Sequence, residues 1–154
     1  YGVVQLPNEY TSPVFGGFGY IPSSPQNTRS GSRVSAGLGV SRNWGMAFAQ
    51  EIYAHELGHN FGRLHAPGCG AIAPIDLEYR GLGGTISAVG HDVWSLANGV
   101  SRSAQSIGRE TGDVMSYCSP KWIGPYTYSA VLTWRQVPPV LGRITSAATS
   151  IAVP

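Results

Sequence analysis

The segment His55–His65, with the sequence H-E-L-G-H-N-F-G-R-L-H, is the most specific pattern in this chain and holds three of its four histidines. In an α-helix, His55 and His59 lie one turn apart on the same face, so both imidazoles can bind one ion. A third ligand has to come from beyond the helix. Gly62 allows this, because glycine commonly ends helices in a left-handed conformation, and the turn that follows brings His65 back toward the metal.

The residue types in this segment predict zinc chemistry. Three protein ligands with a fourth position open to water are typical of a catalytic zinc ion. Glu56 follows His55 by about 100° around a helix of 3.6 residues per turn, so it lies beside the metal face. There it can act as a general base on water activated by the ion. An ordinary helix with surface histidines is the alternative, but it explains neither Glu56 nor the return from Gly62 to His65.

Two motifs of the chain resemble those of the metzincin clan of zinc endopeptidases, whose signature is H-E-x-x-H-x-x-G-x-x-H followed later by a methionine turn. The first motif matches at His55, Glu56, His59, Gly62 and His65. The second matches at Asp113–Cys118, which reads D-V-M-S-Y-C. The resemblance covers residues 15–136 and implies that Met115 forms a tight turn beneath the three imidazoles. The alternative is an ordinary core methionine.

Two neighbours of Met115 have separate expectations. The resemblance to astacin-like and serralysin-like members implies that the Tyr117 hydroxyl reaches the zinc or donates to the developing oxyanion. A tyrosine packed below the site is an equally good interpretation. Asp113 matches no catalytic position, and we expect its carboxylate to hold the turn through hydrogen bonds to the backbone.

The resemblance also implies the fold class. We expect an α+β domain, similar to α/β proteins, in which a twisted mixed sheet lies over the active-site helix. An irregular C-terminal subdomain follows and ends in a helix. Residues 1–139 form one catalytic domain, in which residues 1–61 are the upper half and residues 62–139 the lower half, and residues 140–154 form a strand or a linker. Few residues precede His55 for this family, so we expect missing N-terminal strands or a minimal version of the fold.

Hydrophobic patterns and turn residues predict the individual elements. The predicted strands are Gly2–Leu6, Phe15–Ile21 at a sheet edge, Arg33–Val40, Ile86–Val89 and Val93–Leu96. The predicted helices are Trp44–Phe61 and Pro125–Gln136. On the first helix we expect Ala47, Ala54, Leu57 and Phe61 to face a core. On the second, one stripe contains Tyr128, Val131, Leu132 and Arg135.

Composition limits the class of protein. Charged residues make up only 12% of the chain, and its formal net charge is +2, which gives no sign of a nucleic-acid partner. No apolar run is long enough to predict a membrane span. A surface poor in charge and rich in glycine, serine and proline favours a secreted protein. Because the chain begins at Tyr1 without signal-peptide features, we expect a mature or excised piece, with a pro-segment or the missing N-terminal segment as a partner.

Cys69 and Cys118 are the two cysteines of the chain. One follows the third histidine and the other follows Met115, so the resemblance implies that both flanks converge on the metal. We therefore expect a Cys69–Cys118 disulfide; two buried free thiols, or thiols that bind metal, are the alternatives.

Three further residues are weaker candidates for metal binding. His91 is a fourth ligand of a latent state or, in the favoured interpretation, a surface histidine. Asp76 and Glu78 could bind Ca²⁺, but their spacing matches no calcium loop.

The predicted function is that of a secreted zinc endopeptidase. The resemblance implies an extended polypeptide substrate that pairs with an edge strand such as Phe15–Ile21. Two alternatives remain open at this stage. One is a non-catalytic module that keeps zinc and binds peptides or glycans, against which Glu56 argues. The other is a zinc amidase that acts on a non-protein amide.

Overall fold

The computed structural model describes residues 2–4, 16–24, 34–38, 46–92 and 105–136. A mixed three-stranded sheet forms the N-terminal region, with the strand order β1-β3-β2. Its strands are β1 (Gly2–Val4), β2 (Gly17–Gly19) and β3 (Ser35–Leu38). Strand β1 is parallel to β3 and β2 is antiparallel to it. The three strands predicted in this region of the chain are therefore confirmed, with shorter bounds, and β2 lies at the sheet edge as expected.

Helix α1 (Met46–Asn60) packs against β2 and β3. Asn60, the last residue of the helix, fixes this packing with its side chain. Its amide nitrogen donates to the carbonyls of Tyr20 (3.0 Å) and Val34 (3.1 Å), and its amide oxygen accepts from the Ser35 hydroxyl at 2.9 Å. The C-terminal end of α1, which carries the histidines, is thereby held against the sheet.

Short elements make up the rest of the described chain. They are a 3₁₀ turn (Leu82–Gly84), β4 (Gly90–Asp92), β5 (Gln105–Ile107), β6 (Gly112–Asp113), β7 (Lys121–Trp122) and α2 (Pro125–Gln136). Strands β4 and β5 pair antiparallel, and β6 and β7 pair parallel. The α+β class is confirmed, and the division at residues 61 and 139 stays a prediction.

The predicted strand Ile86–Val89 is wrong. Its residues begin like a strand, because the Ile86 and Ser87 amides donate to the carbonyls of Thr111 and Arg109. Ser87 then adopts a φ of +53°, which lies outside the range of strand residues, and regular pairing resumes only at β4. The predicted strand Val93–Leu96 lies outside the described residues.

Helix α2 has the bounds that the sequence predicted, but the proposed stripe is not its buried face. Tyr128, Leu132 and Arg135 are exposed. Thr127 is buried, and Trp134 packs against the turn at Gly62. The buried face of α2 is therefore rotated by one residue relative to the apolar stripe. Its centre is polar Thr127, which donates a hydrogen bond to Asp113.

Polar groups dominate the described interior. Among the described residues, the buried apolar side chains are Ala66, Ile86 and Met115. The fully buried polar side chains include Ser35, Asp113, Ser116 and Thr127. Burying polar groups requires that they be hydrogen-bonded, so this region of the fold depends on specific networks more than on apolar area. No helix within the described ranges is both long and apolar enough to cross a membrane.

Cys69 and Cys118 form a disulfide, as the sequence analysis expected. The bond joins the segment after His65 to the segment after Met115. Its two cysteines are 49 residues apart in the sequence, so it closes a long loop.

Replacing both cysteines with serine should lower the free energy of unfolding by about 3–4 kcal/mol, because a long loop regains conformational freedom in the unfolded chain. Denaturant unfolding of the variant and of the wild type, each without reductant, measures this difference. Two thiols open to alkylation in the native wild-type protein would contradict the disulfide.

Candidate metal centre

The three histidines of the sequence motif come together in one cluster. Helix α1 places His55 and His59 one turn apart, and the chain then turns at Gly62, whose φ is +74°. His65 follows and forms a parallel bridge with Ile75. One ring nitrogen from each histidine lies within 4.8 Å of the others, and all three residues are buried. Among the described residues, this is the only group of such side chains with metal-ligand spacing.

A backbone carbonyl orients each of the three imidazoles through its Nδ1 atom. The pairs are His55 with Val114 at 2.8 Å, His59 with Arg63 at 2.7 Å, and His65 with Ile72 at 2.7 Å. A carbonyl can only accept, so each Nδ1 carries the proton and each neutral ring keeps a lone pair on Nε2. This arrangement is typical of histidines that bind metal through Nε2.

The Nε2 positions fit a single ion. Those of His59 and His65 are 3.1 Å apart, a distance that either a shared proton or a metal ion between two lone pairs would allow. Tetrahedral bonds of 2.0–2.1 Å to zinc would separate two nitrogens by about 3.3 Å. The set suits a transition metal, because neutral imidazole binds zinc, copper, iron and nickel well.

Burial keeps these imidazoles in the form that binds metal. Desolvation lowers the pKa of His55 to about 3, although the hydrogen bond to Val114 acts in the opposite direction. Desolvation also lowers the pKa of His59. Both rings are therefore neutral at physiological pH, so no proton has to leave before an ion can bind.

Glu56 lies between the metal cluster and the sheet. It is only 5% exposed, and strand β2 approaches it closely. A methyl group on Gly17 would lie 2.8 Å from Oε1 of Glu56, and one on Gly19 would lie 2.5 Å from the Glu56 carbonyl oxygen. Burial raises the pKa of the Glu56 carboxyl to about 7, and the nearby charge of Lys121 opposes this rise. Glu56 therefore sits near the pKa that suits a general base.

Met115 packs against helix α1 at Gly58, and its expected position beneath the three imidazoles stays a prediction. It is 1% exposed, and a methyl group on Gly58 would lie 2.2 Å from its sulfur atom. Gly58 lies on α1 between the two histidine ligands, so the absence of a side chain there lets Met115 contact the helix backbone. The residue before Met115 also contacts the cluster, because the Val114 carbonyl accepts a hydrogen bond from Nδ1 of His55.

Asp113 holds this turn with its carboxylate. Its Oδ1 accepts from the Met115 amide at 2.9 Å and from the Thr127 hydroxyl at 2.8 Å, and its Oδ2 accepts from the Gly124 amide at 2.9 Å. The expected side-chain-to-backbone role of Asp113 is confirmed. Its bond to helix α2 through Thr127 was not expected.

Tyr117 lies on the wall of the metal cleft. Its ring centroid is 5.1 Å from that of His65 and 5.9 Å from that of His55, and 39% of the residue is exposed. The cleft holds about 200 Å³ and is lined by β2 residues, the three histidines, Glu56 and Tyr117. Burial, and secondly the nearby Glu56, raise the pKa of the Tyr117 phenol, so its hydroxyl stays protonated and can donate.

The weaker metal candidates lie elsewhere. His91 is exposed in β4 and does not belong to the cluster. The Asp76 carboxylate is occupied, since it accepts from Arg63 at 2.7 Å, from the Glu78 amide at 3.0 Å and from the Tyr126 hydroxyl. Asp76 therefore links three segments of the chain, and its expected Ca²⁺ role stays a prediction. No sequence pattern indicated this contact between Arg63, Asp76 and Tyr126, because the three side chains come from separate segments.

A larger cavity of about 610 Å³ borders α1 on another face. Its lining includes Ala54 and Leu57 from the helix, Phe61 just after the helix, and Lys121 from β7. Of the residues expected to face a core, Ala54 is exposed, whereas Leu57 and Phe61 are partly buried at this cavity. The burial of the Ala47 side chain lies outside what the structure describes.

Changing Gly58 to alanine tests the contact with Met115. Alanine normally stabilises a helix by about 1 kcal/mol relative to glycine, but overpacking against a buried side chain costs about 1–3 kcal/mol. We expect Gly58→Ala to lower the free energy of unfolding by about 1 kcal/mol. In the Met115→Ala background the same change should stabilise the protein, and denaturant unfolding of all four proteins measures the difference. A stabilising Gly58→Ala change with Met115 present would contradict the contact.

Comparison of the chain with known protein-family models, curated proteins and solved structures gives no match. The similarity to metzincins therefore consists of the two sequence motifs and of the three-histidine cluster that the structure forms from the first of them.

Proposed function

We propose that this protein is a zinc-dependent endopeptidase. The observation that carries the proposal is the convergence of three buried imidazoles, each held at Nδ1 by a backbone carbonyl, with a buried carboxylate of raised pKa beside them. A closed structural site normally uses four protein ligands. Three ligands in an open cleft, together with a candidate base, favour catalysis.

The metal fits the donor set that the residues present. Zinc is the preferred ion, because neutral imidazoles and a tetrahedral site with one open position suit it. Such an ion, when bound, supplies Lewis acidity that polarises a carbonyl and makes water easier to deprotonate.

Glu56 moves the proton in this proposal. Its carboxylate takes a proton from the attacking water and then gives it to the amine that leaves as the peptide bond breaks. Burial between α1 and β2 keeps bulk water from solvating this carboxylate, which favours its protonated form after the first transfer. Lys121 limits the effect, since its charge stabilises the ionised form.

Strand β2 provides the site for an extended substrate. It is an edge strand, it lines the cleft, and it lies against Glu56. A peptide that pairs with β2 would gain main-chain hydrogen bonds with little demand on its sequence. Phe18 and Tyr20, both exposed, would offer aromatic surface beside that peptide.

The disulfide supports an extracytoplasmic location, because such bonds form and persist in oxidising compartments. We propose that the protein is secreted.

Glu56→Gln should retain close to one zinc per chain and lose most hydrolysis of a denatured protein substrate, because the amide cannot accept the proton. The matched control is Glu51→Gln, which removes another carboxylate of α1 near Lys121 and should cleave like wild type. Elemental analysis gives the metal content, and mass spectrometry of the products gives the cleavage sites. Treatment with a chelator should abolish cleavage by the wild type.

The same assays separate the alternatives. A wild-type protein that holds zinc but cleaves no peptide bond would support a binding module, or an amidase if a non-protein amide is hydrolysed. Unchanged cleavage by Glu56→Gln would exclude the proposed role of this residue.

Tyr117→Phe should lower kcat by about 10²-fold, the usual effect of removing one oxyanion donor, and leave KM and zinc content unchanged. Steady-state kinetics on a short peptide, with Tyr128→Phe as the control for loss of an exposed hydroxyl, measures this. An unaltered kcat would assign Tyr117 to packing alone.

A further inference from the structure

We infer that Tyr126 and Thr127, adjacent residues in the first turn of α2, are positioning residues for all three metal ligands. Neither lies in the sequence motifs, and neither is among the residues that line the metal cleft. Each donates a hydrogen bond to a different carboxylate, and each carboxylate contacts a residue that carries, or lies next to, a carbonyl that orients an imidazole. The inference rests on metal binding, the first step of the proposed function.

The first connection runs from Tyr126 to His59 and His65 through Asp76. The Tyr126 hydroxyl donates to Asp76 (3.1 Å to Oδ2), and the same carboxylate accepts from the Arg63 guanidinium at 2.7 Å. The guanidinium carbon also lies 5.1 Å from the centre of the Tyr126 ring. Arg63 carries the carbonyl that orients His59, so its position matters for that ligand.

Asp76 is also joined to the third histidine through its backbone. Its amide donates to the His65 carbonyl at 2.8 Å, and the His65 amide donates to the Pro74 carbonyl at 3.0 Å. The carbonyl that orients the His65 ring belongs to Ile72, at the start of the same segment. The ion pair of Arg63 with Asp76 therefore joins the two segments that hold His59 and His65. Both side chains are largely buried, 15% and 10% exposed, so water competes little with this contact.

The second connection runs from Thr127 to His55 through Asp113. The Thr127 hydroxyl donates to Oδ1 of Asp113 at 2.8 Å, and the same oxygen accepts from the Met115 amide. Between Asp113 and Met115 lies Val114, whose carbonyl accepts from Nδ1 of His55. Thr127 is 1% exposed and Asp113 is fully buried, so a lost hydrogen bond is not replaced by solvent without rearrangement.

The two connections both begin in the first turn of α2. A shift of this turn would therefore change the orientation of all three imidazoles together. Partners that orient metal-binding histidines typically affect metal affinity by 10–100-fold when they are changed. Tyr126 and Thr127 act one step farther out, so we expect effects at the lower end of that range.

The test uses two substitutions that keep shape and remove one hydroxyl each. Tyr126→Phe preserves the ring contacts, and Thr127→Val preserves volume. Zinc affinity, measured by competition with a chromophoric chelator, should fall about tenfold for each variant. The absorption spectrum of the Co²⁺-loaded protein should also shift, since it reports ligand geometry directly. Tyr128→Phe and Thr133→Val, which alter exposed side chains of the same helix, should match wild type in both measurements.

Two outcomes overturn the inference: wild-type zinc affinity and Co²⁺ spectrum in Tyr126→Phe and Thr127→Val, or a loss of affinity in Thr127→Ser, which keeps the hydroxyl. The Thr127→Ser variant also serves if Thr127→Val does not fold, because retained affinity there, together with a loss in Tyr126→Phe, supports the proposed connections. Zinc binding by the wild type is measured first. If the wild type binds no zinc, the proposed function fails at its first step. If it binds zinc but cleaves nothing, the positioning of the ligands is still tested by affinity and spectrum.

Discussion

Three hydrogen bonds from imidazole Nδ1 atoms to backbone carbonyls determine the organisation of this molecule. Each fixes the tautomer of one histidine and turns its Nε2 atom toward the common centre. The three carbonyls belong to separate segments: the turn after α1, the loop at Ile72 and the turn at Met115. The irregular part of the chain that follows α1 has to bring these segments together.

These segments are held together mainly by hydrogen bonds between buried polar groups and by a disulfide, and less by apolar packing. The described region of the chain buries few apolar side chains and many hydrogen-bonded polar ones. Carboxylates, a disulfide and the candidate metal ligands take the place of apolar packing. Such a structure is specific, because most of its buried polar groups have to meet a particular partner. An ion bound by the three histidines would add to its stability.

Features whose physical cause lies in a short stretch of sequence could be predicted from the sequence. The spacing of His55 and His59, the turn at Gly62 and the position of Pro125 at a helix start are of this kind, and the cluster and α2 follow from them. Features that depend on a partner far away in the chain could not be predicted. The Ile86–Val89 run looks like a strand, yet Ser87 takes a left-handed conformation there. The buried face of α2 is centred on a threonine, because its partner Asp113 lies in another element. The Arg63–Asp76 ion pair joins two irregular segments, and no hydrophobic periodicity in the sequence predicts that they meet.

The two glycines of β2 have a consequence for redesign. Because their missing side chains let the strand lie directly on Glu56, the distance between the strand backbone and this carboxylate is set by the two glycines. A larger residue at Gly17 or Gly19 would push the strand away from Glu56. If the proposed peptide binding to β2 holds, selectivity would be altered at the exposed positions Phe18 and Tyr20, where a substitution leaves this spacing unchanged.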